Sequence, residues 1–234
     1  MRPDQTLNWM HHGTERLLVE VAGLPDEALG APTALPGWTR AYLLSHIAAN
    51  ADALRNLVHW ARTGEERRMY ASTEAREADI AAGAELPPAD LRAWVSSSAA
   101  DLAADLDALD ALDGAAWDAK IITAQGLTRS ANEIPWMRAR EIYIHSIDLA
   151  AGITFADLPP DFLAALLDDV TGRRSAVGGG PALLIAATDT GGRWDVAGTG
   201  SPVPVTGLLA DLTAYLTGRP APALPAAPVL PPWL

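Results

Sequence analysis

Glu141 and His145 stand four residues apart in RAREIYIHSIDLAAG, a run otherwise rich in isoleucine, leucine and alanine. On a helix, residues at that spacing are offset by about 40° around the axis and about 6 Å along it, so carboxylate and imidazole point the same way and can grip one ion. His46 offers a third donor. It lies in LPGWTRAYLLSHIAANADALRNLVHW among Leu43, Leu44, Ile47, Ala48, Leu54 and Leu57, and an imidazole in such company needs a partner, because buried polar groups are satisfied ones. Spacing alone leaves two readings of His46: a core histidine bonded to a carbonyl, or a ligand from a facing helix. Taken together, the three residues form a two-histidine, one-carboxylate set. Such a set suits zinc with an open fourth position, and equally non-haem iron.

Polar neighbours on the same faces extend the constellation. Asn50 follows His46 by a turn, Arg138 precedes Glu141 by a turn, and Asp148 follows His145 by a turn. They are candidates for lining a cleft or orienting a ligating imidazole through its other ring nitrogen; helix-surface or ion-pair roles are the ordinary alternative. The remaining candidates are poorer. His11 and His12 are adjacent and so point about 100° apart on a helix, and His59 near a helix end reads as a surface residue favoured by the dipole. The glycines 178–180 lack a following GK[ST], and serines 96–98 lack a G-x-S-x-G setting.

The positioning elements follow from periodicity. Four stretches, about 4–23, 39–63, 88–109 and 135–151, have the length and pattern of amphipathic helices, which predicts a four-helix bundle. LPDEALGAPTALPGW, Gly64, LPP and Pro135 supply the breaks. The segment 65–86 has room for a short extra helix in EAREADIAAGAEL, and AAWDAKIITAQGLTRSANEIP reads as a loop or a short hairpin. From about 154 the texture becomes helix, strand, turn and strand, short strand, helix, which predicts a small α+β domain with a two- or three-stranded sheet. We therefore divide the chain into a bundle domain, 1–153, and an α+β domain, 154–234. The last fifteen residues hold six prolines and are expected to run extended along the surface, with Trp233 pinning the end.

Composition narrows the function. The chain has 234 residues, a net charge of −12 and no cysteine. Phosphate neutralisation needs clustered Lys/Arg, which are absent here, so a nucleic-acid surface is excluded and a small-molecule or protein partner fits. Without cysteine the chain supplies no disulfide, no thiolate zinc ligand and no thiol nucleophile; thiol chemistry needs a thiol from outside. No apolar run reaches the roughly 20 residues that span a bilayer and the start lacks a secretory h-region, so the expected location is the cytoplasm.

LPGWTRAYLLSHIAANADALRNLVHWARTG, MYAS with EAREADI, RAREIYIHSIDLAAG and YLTGR together resemble the mycothiol-dependent maleylpyruvate isomerases of the DinB-like metalloenzyme superfamily, over nearly the whole chain. The resemblance implies a zinc ion held by His46, Glu141 and His145, and a catalytic arginine from the second domain at Arg219. It also implies mycothiol, the cysteine-containing pseudodisaccharide of actinobacteria, as thiol cofactor. The implied reaction turns maleylpyruvate into fumarylpyruvate in gentisate-type aromatic catabolism, by reversible thiolate addition to the conjugated double bond. Three other readings stay open: a mycothiol S-transferase that keeps the conjugate, a bundle that binds metal or ligand without turnover, and an iron oxygenase.

Overall fold

The computed structural model describes residues 3–112 and 114–232, so Trp233, expected to pin the C-terminus, lies outside the described residues. The chain divides into two compact units, Met1–Gly152 and Ile153–Leu234.

In the first unit α1 (Pro3–Gly23), α2 (Arg40–Thr63), α3 (Thr73–Ala84) and α4 (Pro88–Asp110) are followed by a hairpin of β1 (Lys120–Ile122) and β2 (Thr128–Ser130), then by α5 (Ile134–Asp148). Thus the four amphipathic stretches are α1, α2, α4 and α5; the extra helix is α3, and the segment that reads as a loop or a hairpin is a hairpin. Starts and stops have local causes. The hydroxyls of Thr39 and Ser72 accept backbone N–H groups of Tyr42 and Ala75 at the N-termini of α2 and α3. Gly64 closes α2 at φ +76, a left-handed conformation that costs other residues more. The core of the unit includes Leu43, Leu44, Ile47, Leu54 and Leu57 of α2 and Ile142 and Tyr143 of α5, all at most 1 % exposed.

One arginine sets the register of the site. α5 stops at Asp148, three residues before the apolar pattern runs out, because Arg40 at the start of α2 captures the last carbonyls: its Nε donates to Leu149 and its Nη2 to Ala150, both at 2.8 Å. Ala150 then turns left-handed at φ 52. Helix ends leave carbonyls unpaired, so this capture both ends α5 and places it antiparallel to α2. Counting inward from that clamp, His46 and the pair Glu141 and His145 reach the same height of the bundle.

In the second unit α6 (Pro160–Val177) is followed by β3 (Pro181–Ala187), β4 (Arg193–Val196), β5 (Thr199–Gly207) and α7 (Leu209–Leu216). The sheet has three strands in the order β4-β3-β5, with β3 antiparallel to β4 and parallel to β5. The crossing from β4 to the far side of β3 brings the chain so close that a Cβ on Gly198 would stand 2.4 Å from the Pro181 carbonyl carbon; glycine is required there. The proline-rich tail is tied along this unit, with the Tyr215 hydroxyl donating to the Pro228 carbonyl at 2.7 Å and Arg174 to the Pro231 carbonyl at 3.1 Å.

Candidate metal centre

The α2–α5 register delivers three donors to one point. His46 Nε2 and His145 Nε2 each lie 3.2 Å from the same oxygen, Oε2 of Glu141. The two imidazoles face each other edge-on with ring centroids 5.0 Å apart, and Trp38 closes one side with its ring 5.5 Å from that of His46. Separations of this size are those between ligands on bonds of about 2.0–2.1 Å that meet at a roughly tetrahedral angle. Among the described residues no fourth histidine or carboxylate joins the group. The three side chains could therefore hold a divalent metal and leave a coordination position for something else.

The electrostatics assign one proton. Burial pushes the Glu141 carboxyl up, but hydrogen bonds from His145 and His46 outweigh it and hold the group well below the usual carboxylate range. At His145 burial opposes the charge, yet hydrogen bonds to Asp148 and Glu141 prevail and lift the imidazole to about 9. At His46 burial wins and the pKa falls. In the metal-free site His145 is thus the charged ring and His46 the neutral one.

Asp148 is wholly buried and its Oδ2 lies 3.0 Å from His145 Nδ1. It fixes the ring so that Nε2 points at Glu141, the arrangement by which carboxylates orient metal-binding histidines. Asp148→Asn, which can present the wrong face of its amide, is expected to weaken zinc binding about 10–100-fold; chelator competition measures this, and an unchanged affinity removes Asp148 from the site.

Asn50 and Arg138 are both brought beside the cluster, but they bond to each other. Arg138 is 1 % exposed and its Nη1 donates to the Ile47 carbonyl at 2.7 Å and to Asn50 Oδ1 at 2.9 Å. The pair bolts α5 to α2 across the site, and burial pulls the guanidinium down to about 10. Arg138 Nη2 is buried without a hydrogen-bond partner. Arg219, from the second unit, follows α7 and its Nη1 donates to the Thr217 carbonyl at 2.7 Å.

One neighbour escapes sequence reasoning. Arg76 of α3 places Nη2 3.2 Å from His46 Nδ1 and stands over the Tyr70 ring, 5.6 Å from its centroid. A guanidinium only donates, so Nδ1 of His46 accepts here and Nε2 carries the proton toward Glu141. Coordination through Nε2 transfers the proton role to Nδ1, and Arg76 must then release the ring. The signal in the sequence was EAREADI, where nothing in the spacing ties Arg76 to a histidine thirty residues earlier.

Metal loading should also eject the His145 proton. Because that pKa is raised, its stabilising charge is fully present below about 6.5 in the metal-free protein and is lost as pH rises through about 9. Zinc affinity should run the other way, rising about tenfold per pH unit between those values. Affinities measured by chelator competition at several pH values test this; a flat profile would mean that His145 exchanges no proton.

A helical bundle that brings two histidines and a carboxylate together from facing helices is a scaffold able to hold a metal ion in its core. Residues 10–150 match the model for the mycothiol maleylpyruvate isomerase N-terminal domain, and the chain belongs to that family. The chain is also similar to two solved structures. One is a mycothiol-dependent maleylpyruvate isomerase, at 35 % identity and TM-score 0.93, with 100 % of this chain and 98 % of that one covered. The other is a histidine-to-alanine mutant of a mycothiol-dependent maleylpyruvate isomerase, at 34 % identity and TM-score 0.92 with the same coverage. Curated proteins give no match. No helix among the described residues is long and apolar enough to cross a membrane.

Proposed function

We propose that the protein is a zinc- and mycothiol-dependent cis–trans isomerase that converts maleylpyruvate to fumarylpyruvate. The observation that carries this reading is the convergence of His46, Glu141 and His145 on one point without a fourth histidine or carboxylate among the described residues, in a chain of the mycothiol maleylpyruvate isomerase family. A metal closed on all sides by protein ligands would have favoured a structural role.

Zinc at this point would supply a Lewis acid able to keep a thiol deprotonated at neutral pH, where a free thiol of pKa about 8.5 is mostly protonated. Isomerisation needs the conjugated double bond to be single for long enough to turn, which reversible addition of mycothiol's thiolate provides. The chain does the rest. His46, Glu141 and His145 hold the metal, Asp148 keeps the His145 ring aimed, and Asn50 with Arg138 fixes the helix pair that carries the ligands. Arg138 and Arg76 add positive charge around a site meant for anions. Arg219 pairs with a substrate carboxylate in bidentate fashion and stabilises the negative charge that develops on the substrate. A thiol-dependent enzyme with no cysteine of its own belongs in the cytoplasm, where thiols are kept reduced.

Zinc-loaded protein incubated with mycothiol and maleylpyruvate should convert one isomer to the other, followed by the absorbance of each, and should need both zinc and thiol. Accumulation of a stable thiol conjugate would replace this reading with an S-transferase. Absence of any reaction would leave a binding protein.

A further inference from the structure

MYAS and EAREADI form one segment of the sequence, and the fold pins it to α2 at both ends. Asn56 of α2 donates through Nδ2 to the Met69 carbonyl at 3.3 Å, and Ser45, the chain neighbour of His46, donates through Oγ to the Ile80 carbonyl of α3 at 2.7 Å. Between these ties the Ser72 hydroxyl accepts the Ala75 N–H and the Ser72 carbonyl accepts the Arg76 N–H, both at 3.1 Å. That cap fixes the turn by which Tyr70, just before α3, meets Arg76 in its first turn, with the guanidinium carbon 5.6 Å from the Tyr70 ring centroid. The pair stands at the open side of the metal centre. Glu141 is the most accessible of the three candidate ligands, its side chain 26 % exposed against 7 % for His46 and 14 % for His145. The Tyr70 hydroxyl is near enough to Glu141 and Arg138 to feel both charges, while Arg76 touches His46.

This corner holds more donors than acceptors. Arg76 reaches His46 Nδ1 at 3.2 Å and bonds the Tyr70 hydroxyl, and among the described residues no carboxylate pairs with it. A guanidinium only donates, so the Tyr70 oxygen accepts and the phenol hydrogen is left for another acceptor. Burial raises the phenol's pKa, with the Arg76 charge opposing, so that hydrogen is present at neutral pH. Once His46 ligates through Nε2, its Nδ1 carries the proton and no longer accepts, which leaves Arg76 Nη2 to another acceptor as well. Arg138, 1 % exposed, adds a second positive charge from behind. Two guanidiniums and a phenol around the single carboxylate of Glu141 call for an anion, and a carboxylate fits: one oxygen takes the Arg76 N–H and the other the Tyr70 O–H.

We propose that Tyr70 and Arg76 bind a carboxylate of the substrate at the mouth of the metal centre. The inference rests on the isomerase reading above for the identity of the substrate, whose two carboxylates need two anchors; that reading gives the other to Arg219. Tyr70 and Arg76 are both partly exposed, so changing them opens no core. Tyr70→Phe keeps the ring and removes the O–H, and Arg76→Met keeps the apolar stem and removes the guanidinium.

The test is calorimetric titration of zinc-loaded parent and variants, without thiol, with two probes: fumarate, a dicarboxylate that does not react there, and imidazole, a neutral ligand for an open zinc position. Tyr70→Phe should weaken fumarate binding about tenfold and Arg76→Met about a hundredfold, while imidazole affinity and zinc content stay unchanged. In turnover the KM for maleylpyruvate should rise by similar factors with kcat changed less than about threefold, the signature of lost uniform binding. Unchanged fumarate affinity in either variant overturns the proposal. Equal weakening of fumarate and imidazole also overturns it, since the metal centre itself would then be disturbed, and so does a parent that binds no fumarate. Failure of the functional reading is distinct: the variants would lose fumarate binding as expected while the parent isomerises nothing.

Discussion

His46→Ala should abolish stoichiometric zinc and lower kcat/KM by about a thousandfold or more, while the bundle stays folded. The imidazole is one of three donors in the cluster among the described residues, and it is the one supplied by α2, so its loss leaves the other two, Glu141 and His145, on a single helix. A metal acting as Lewis acid contributes several kcal/mol to transition-state stabilisation, and each 1.36 kcal/mol is tenfold in rate. The fold should tolerate the change: alanine is the best helix former, and Arg40 and Arg138 tie α2 to α5 without help from the ring. Elemental analysis, turnover and a melting curve on the same preparation check the prediction. Equal zinc in variant and parent would remove His46 from the metal site.

That experiment bears on what was legible in the sequence. The Glu-x-x-x-His spacing declares a shared helix face, because helix geometry is local. The meeting of that face with His46 is not local. It depends on the Arg40 clamp, whose bonds to Leu149 and Ala150 span more than a hundred residues; the apolar setting of His46 on a bundle helix makes it a candidate third donor, and the family resemblance implies the full set. The same clamp explains why α5 ends at Asp148 when the apolar pattern runs on to residue 151. Asp148 was readable as an orienting group, since positions 145 and 148 share a face. Asn50 and Arg138 stand one helical turn from His46 and from Glu141 in the sequence, but their bond to each other is invisible there because it joins two helices. Arg76 was missed for the same reason: α3 has a weak amphipathic pattern, and a contact from its first turn to His46 is a fact of packing.

Arg219→Ala should lower kcat/KM by on the order of a hundredfold while zinc content and melting temperature hold. The local structure supplies a competing role. Gly218 turns left-handed at φ 74 after α7, the Arg219 N–H returns to the Ala214 carbonyl at 2.8 Å, and Nη1 donates to the Thr217 carbonyl at 2.7 Å. A side chain used only in this way caps a helix end, and losing it costs about 0.3–1 kcal/mol of stability with no effect on turnover. The backbone half of the cap survives in alanine, so the variant keeps its turn and isolates the guanidinium. Arg219→Lys sharpens the distinction. Lysine keeps the charge and can still reach a helix carbonyl, so a capping role predicts full recovery; it cannot grip a carboxylate with two parallel N–H bonds, so a substrate role predicts that most of the lost turnover stays lost. Near-normal kcat/KM in both variants would return Arg219 to the helix end and leave the substrate carboxylates to other cations.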